Sequence, residues 1–205
     1  MKINVFVVGP VATNCYVLHE GAECIVIDPG AEPRQILKFI AENNLCVKYI
    51  VNTHGHPDHT GANAEIRKVF KDALICIHKD DAEMLTDKQV VLTFLFGTKH
   101  GSPPADVLLE EGHQVRAEGL CLKVLHTPGH TPGGISLTAV GIVFTGDTLF
   151  YDSIGRSDLP GGNEEVLVEA IRKKLFLLDD DMKVFPGHGP ATTIGKEKRE
   201  NIYVR

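Results

Sequence analysis

His54-Gly55-His56-Pro57-Asp58-His59 packs four strong metal donors into six residues. The spacing restricts the backbone. Two residues turn an α-helix by about 200°, so a helix cannot aim His54 and His56 at one point. An extended or turning segment can, and Gly55 and Pro57 favour such a turn. The segment follows Lys48-Tyr49-Ile50-Val51-Asn52, a β-branched run that reads as a strand. The end of a strand, where it opens into a loop, is where sheet proteins carry chemistry.

Three more donors have the same setting. His130 lies in His126-Thr127-Pro128-Gly129-His130-Thr131-Pro132-Gly133-Gly134. Asp147 follows the apolar run Ile142-Val143-Phe144 in Thr145-Gly146-Asp147-Thr148. His188 lies in Phe185-Pro186-Gly187-His188-Gly189-Pro190. Each combines a strand, a glycine and a donor. Glycine lets the backbone approach a crowded site, and the strand holds it rigid. One such residue alone would be a turn cap or a satisfied polar group. Seven in four turn motifs point to a shared site. His19, His78, His100, His113 and His126 read as ordinary structural histidines, and Asn14 and Tyr16 as structural polar groups.

Outward from these motifs, short apolar runs alternate with turn signals. Strands are expected at Ile3–Val8, Cys15–Leu18, Cys24–Asp28, Ala73–Ile77, Leu120–Leu125, Gly134–Thr138, Gly141–Phe144 and Lys183–Phe185. Pro33 opens a helix that buries Ile36, Leu37, Ile40 and Ala41 and ends at Asn43-Asn44. A second helix is expected over Thr60–Lys71, with Ile66, Val69 and Phe70 on one side. A third starts at the N-cap Asn163 and buries Val166, Ala170, Ile171, Leu175 and Leu178. A last helix spans Lys196–Tyr203. Residues 78–106 give no firm pattern beyond a helical turn over Asp80–Leu85. Within them, Val90 to Phe96 reads as a dimer face, a substrate wall or core. Alternating strands and helices with frequent hairpins fit two packed mixed sheets with helices outside, or a simpler α/β layering.

The 205 residues suit one domain, and a net charge of −6 lacks the basic field that nucleic-acid binding needs. The N-terminal apolar run is too short for a secretory signal, and no run is long enough to span a membrane, so a cytoplasmic location is expected. The five cysteines form no C-x-x-C pair and read as small buried hydrophobes.

Thr53-His54-Gly55-His56-Pro57-Asp58-His59-Thr60-Gly61 resembles the signature of the metallo-β-lactamase superfamily. With His130, Asp147 and His188 it is similar to the ligand set of the glyoxalase II-like branch. The likeness runs from Thr13-Asn14-Cys15-Tyr16 to Gly195-Lys196-Glu197-Lys198. It implies an α/β (α+β) fold, a four-layer αββα sandwich of two mixed sheets flanked by helices, in one domain over 1–205. It also implies two divalent metal ions, zinc first, with iron or manganese compatible with the same donors. By the resemblance, one ion takes His54, His56 and His130, the other takes Asp58, His59 and His188, and Asp147 bridges them. Two such ions, two carboxylates and a bridging hydroxide leave a charge of about +1, suited to an anionic transition state.

The implied reaction is hydrolysis of a thioester such as S-lactoylglutathione by a metal-bridging hydroxide. Asp58 is the catalytic candidate, as it would orient the water or take its proton. Gly155-Arg156-Ser157-Asp158 resembles a segment of glyoxalase II-like enzymes. There Arg156 would clamp a substrate carboxylate, or simply pair with Asp158 or Asp152, and Tyr151 would line the cleft or pack on it. Few residues follow His188, which resembles the short bacterial members of the branch rather than those with an added helical domain. The expected partner is a small molecule, with no nucleic acid or membrane. Competing readings are a mononuclear iron persulfide dioxygenase, a hydrolase of another ester, lactam or phosphodiester, and a metal-stabilised binding protein.

Overall fold

The computed structural model describes residues 1–86 and 102–204. The first sheet is formed by β1 (Lys2–Val8), β2 (Thr13–His19), β3 (Glu23–Ile27), β4 (Cys46–Val51), β5 (Leu74–His78) and β6 (Val107–Leu109), in that spatial order. The pairs β1–β2 and β2–β3 are antiparallel, and β3 to β6 run parallel. The second sheet contains β7 (Gln114–Ala117), β8 (Leu120–His126), β9 (Ile135–Ala139) and β10 (Ile142–Gly146). A small hairpin, β11 (Leu149–Phe150) and β12 (Ser153–Ile154), follows. Then β13 (Lys183–Pro186) and β14 (Thr192–Thr193) complete the second sheet in the order β14-β13-β10-β9-β8-β7.

Side-chain alternation shows how the layers stack. In β3, Ile25 and Ile27 enter a cluster shared with Leu122, Val124, Leu137 and Phe144 of the second sheet. Cys24 and Val26 point the other way, to Ile36 and Ile40 of helix α1 (Pro33–Glu42) and Ile66 of helix α3 (Asn63–Val69). In β10, Ile142 and Phe144 face the first sheet. Val143 faces Leu167 and Ile171 of helix α4 (Glu164–Lys173) and Ile194 of helix α5 (Ile194–Glu200). Three apolar layers between four structural layers make the αββα sandwich. It also explains why the strands read as unbroken apolar runs, since a strand covered on both faces loses its polar alternation.

Several local expectations need correction. Ala41, Val69 and Val166 are exposed, while Phe39 and Leu167 pack inward and Phe70 does so as expected. The expected faces otherwise hold, with Ile36, Leu37, Ile40, Ile66, Ala170 and Ile171 packed inward, so only the margins of each apolar stripe differ. The expected helix over Thr60–Lys71 is two, with α2 (Pro57–Thr60) ending before α3 begins. The last helix ends at Glu200 rather than Tyr203, and Leu175 sits in a separate 3-10 turn. Strands β6, β7, β11, β12 and β14 were not expected, although Gln114-Val115-Arg116-Ala117 alternates cleanly between exposed and buried. Cys15, Cys24 and Cys76 are buried, but Cys46 and Cys121 are exposed. Residues 90–96 and His100 lie outside the described residues. Among the described residues, no helix is long and apolar enough to cross a membrane.

Candidate metal centre

Strand direction brings the donors together. The parallel strands β3, β4 and β5 end at one edge of the first sheet, and the loop after β4 carries His54 to His59. Strands β10 and β13 are also parallel, so Asp147 and His188 leave the same end of the second sheet. The loop between the antiparallel strands β8 and β9 adds His130 there. Sites in sheet proteins commonly form where carboxyl ends of parallel strands meet.

Three overlapping groups of donor atoms are compact enough for a metal ion: His54, His56 and His130; His54, His59 and Asp147; and Asp58, His59 and His188. Asp58 Oδ2 lies 3.4 Å from His59 Nε2 and 3.3 Å from His188 Nε2. The two Nε2 atoms are 3.3 Å apart. Asp147 Oδ1 is 3.4 Å from His59 Nε2, and its Oδ2 is 3.6 Å from His130 Nε2 and 3.5 Å from His188 Nε2. Charge-assisted hydrogen bonds are shorter, at about 2.7–2.9 Å. Ligands placed tetrahedrally around an ion at about 2.0–2.1 Å lie about 3.3–3.4 Å from each other. The separations match an ion's coordination shell better than a set of direct pairs.

Tautomers point the same way. His130 Nδ1 donates to the main-chain oxygen of Arg156 at 2.6 Å, and His188 Nδ1 donates to that of Val11 at 3.0 Å. His59 Nδ1 donates to Asp28 Oδ2 at 3.0 Å. Thr53 Oγ1 gives its proton to Asp28 Oδ2 at 2.6 Å, so at 3.2 Å it accepts from His54 Nδ1. With Nδ1 engaged, each of these rings when neutral presents the Nε2 lone pair to the centre, as oriented metal ligands do. His130 Nε2 also faces His56 Nδ1 at 2.9 Å. Buried His54 Nε2, Asp58 Oδ1 and Asp147 Oδ1 have no hydrogen-bond partner among the described residues. Leaving such atoms bare is costly, and a divalent cation would satisfy them. The donor set fits divalent metal ions.

The profile of the metallo-beta-lactamase superfamily matches residues 8–188. The chain belongs to this superfamily. A probable metallo-hydrolase of Bacillus subtilis, YqgX, is 36% identical over 207 residues, covering 100% of this chain and 98% of its own. The hydroxyacylglutathione hydrolase GloC of Haemophilus influenzae is 34% identical over 219 residues, with 100% and 98% covered. Among solved structures, BLEG-1 B3 metallo-beta-lactamase superposes with a TM-score of 0.93 at 33% identity, covering 99% of each chain. TTHA1623 in a di-iron-bound form gives 0.87 at 35% identity, covering 98% of this chain and 99% of that one. The protein is thus a metallo-hydrolase superfamily enzyme with a His/Asp metal-binding cluster.

In this superfamily member, electrostatics divide the cluster in two. Burial, with neighbouring imidazoles, pushes His54 well below the ordinary histidine range and His56 down to about 3. Burial also acts on His59 and His188, but the carboxylates outweigh it and raise both. For His59 these are Asp58, Asp147 and Asp28. Burial alone would raise Asp58, yet His59 and His188 hold it well below the usual carboxylate range.

The residues that brace the donors were largely missed from sequence. Asp28 sits at φ 51°, a left-handed conformation that aspartate tolerates better than most residues. From there it accepts from Thr53 N at 2.7 Å, Thr53 Oγ1 and His59 Nδ1. The available signal was an acid closing an apolar strand, the pattern already read at Asp147. Asn14 and Tyr16 are structural as expected, with a specific task. Asn14 Nδ2 and the Tyr16 hydroxyl both donate to the Pro186 oxygen, at 3.0 and 2.7 Å, and tie β2 to the His188 loop. Close backbone approach is also required. A Cβ on Gly30 would lie 1.5 Å from the main-chain oxygen of Asp58, and one on Gly155 1.7 Å from the main-chain oxygen of Asp147.

The two expected substrate residues lie on the loop after Asp147. The Arg156 side chain is 56% exposed and pairs with Asp158 through Nε at 2.8 Å. Tyr151 is 45% exposed and lies beneath the Lys196 ammonium, 4.0 Å from its ring centre. A further grouping, His78, Asp80 and His126, also has donor atoms close together. Its two rings stack at 4.0 Å with planes only 10° apart. Lone pairs lie in the ring plane, so parallel rings do not converge on one ion. His126 instead donates through Nε2 to the Pro132 oxygen at 2.9 Å.

Proposed function

We propose that the protein is a dinuclear metal-dependent thioesterase of the glyoxalase II-like type, acting on a thioester such as S-lactoylglutathione. The observation that carries this reading is the meeting of all seven donors, with the Nδ1 atoms of His54, His59, His130 and His188 already engaged outside the centre. Full-length similarity to a hydroxyacylglutathione hydrolase supports the substrate class. His54, His56 and His130 would hold one ion, Asp58, His59 and His188 the other, and Asp147 would bridge them. Imidazole and carboxylate donors suit zinc, and also iron or manganese. Bound there, the ions supply an activated water near neutral pH and a Lewis acid for the carbonyl oxygen.

The chain's own residues do the rest. Asp58 remains ionised, so it can accept a hydrogen bond from the attacking water and orient it. Thr13 Oγ1 donates to Asp58 Oδ2 at 3.3 Å and limits its rotation. Of the seven donors, Asp147 and His188 are the least enclosed, so substrate would enter over them. Tyr151 and Arg156 lie exposed on the loop that follows Asp147, where Arg156 can meet a substrate carboxylate. A thiolate leaves without prior protonation, so this site needs no strong general acid.

Metal analysis joined to a substrate panel tests the proposal. The panel contains S-lactoylglutathione, other thioesters, lactams and phosphodiesters, with oxygen uptake on glutathione persulfide measured separately. The highest kcat/KM is expected on a thioester, without oxygen consumption. Two bound metals with no thioesterase activity above background would overturn it. Similarity to BLEG-1 favours lactam hydrolysis as the second reading, and the same panel reports it.

A further inference from the structure

Asp81 is fully buried, a costly position for a carboxylate unless donors surround it. It sits in the 3-10 turn Lys79–Leu85 that follows β5. Its Oδ2 accepts from Gly55 N at 3.0 Å and from Thr131 Oγ1 at 2.7 Å. Its Oδ1 accepts from Gly133 N at 2.6 Å. Gly55 separates His54 from His56, and Thr131 follows His130 directly. One carboxylate therefore joins the donor loop of the first sheet to the donor loop of the second. The join leaves no slack: a Cβ on Gly133 would lie 2.6 Å from Asp81 N. The other donors hang elsewhere. His59 is held by Asp28, and His188 by Val11.

We infer that Asp81 is a positioning residue that sets His54 and His56 against His130, and thereby sets metal affinity at that position and not at the Asp58, His59 and His188 position. The inference rests on the two-position metal centre proposed above. A carboxylate is needed because three donors converge on it. An amide would turn an N–H₂ group toward one of them, and alanine would leave all three unsatisfied.

Zinc titration against a competing chelator tests this. In a His188→Ala background, which disables the second position, Asp81→Asn is expected to weaken Zn²⁺ binding about ten- to a hundredfold. In a His130→Ala background, which disables the first, the same change is expected to alter binding by less than about twofold. Leu122→Ala, in the core between the sheets, controls for a general loss of stability and should leave both affinities unchanged. Should Asp81→Asn fail to fold, Thr131→Val removes one donor at similar volume and should still weaken only the first position. Unchanged first-position affinity, or equal weakening of both positions, would overturn the inference. A wild-type chain that binds no Zn²⁺ would overturn the metal-centre reading beneath it instead.

Discussion

His59 Nδ1 lies 3.0 Å from Asp28 Oδ2, with both side chains buried. Asp28 also holds Thr53 by its main-chain N–H and its hydroxyl, so one carboxylate orients the donor loop at two points. Removing its charge should loosen His59 more than the fold. Asp28→Asn is expected to reduce affinity for the second metal about ten- to a hundredfold while the chain stays folded. Zinc titration alongside circular dichroism checks both halves. A variant that binds two ions at wild-type affinity would refute this role.

Metal loading should depend on pH unequally at the two positions. In the apoprotein His59 and His188 are raised above the ordinary value of about 6.5, so near neutral pH an incoming ion must displace their protons. His54 and His56 are held far below it and are already neutral. Second-position affinity should therefore climb with rising pH, by up to about tenfold per pH unit for each proton displaced, for as long as pH stays below the raised values of His59 and His188. The affinity of the His54 and His56 position should change far less. Zinc binding isotherms with proton release measured in two buffers read this directly. Equal pH slopes at the two positions would contradict it.

Gly155→Ala should cost more than its size implies. The added Cβ would lie 1.7 Å from the main-chain oxygen of Asp147, so the backbone of the ligand loop must move. A loss of about 1–3 kcal/mol is expected, with loss of metal. Gly112→Ala is the contrast. It has open space but a φ of 80°, so only backbone strain of about 1 kcal/mol should appear, with full metal content. Thermal melts with metal analysis separate the two.

Arg156 acts on the metal centre through its backbone, since its main-chain oxygen accepts from His130 Nδ1. Arg156→Ala keeps that oxygen. It should leave metal content and kcat nearly unchanged and raise KM for an anionic thioester several-fold, about 1 kcal/mol of lost binding. A fall in kcat without a change in KM would argue against a substrate clamp. The exposed pair with Asp158 should add little to stability.

The sequence by itself determined the donors and their local geometry. Gly55 and Pro57 force a turn between His54 and His59, and each remaining donor follows a strand and a glycine. Such features are short-range, set by backbone sterics over a few residues. The order of the longer elements was legible too, since apolar runs and turn residues are local, whereas short strands such as β6, β11 and β14 carry too few residues to show a pattern. Only the tertiary structure decided which face each run buries, as with Leu167 in place of Val166. It alone decided what holds each donor. His188 meets Val11 across 177 positions and His59 meets Asp28 across 31. A carboxylate destined for water and one destined for three buried donors look alike in sequence. Asp81 became distinct only when two sheets closed around it and the donors of two loops had nowhere else to turn.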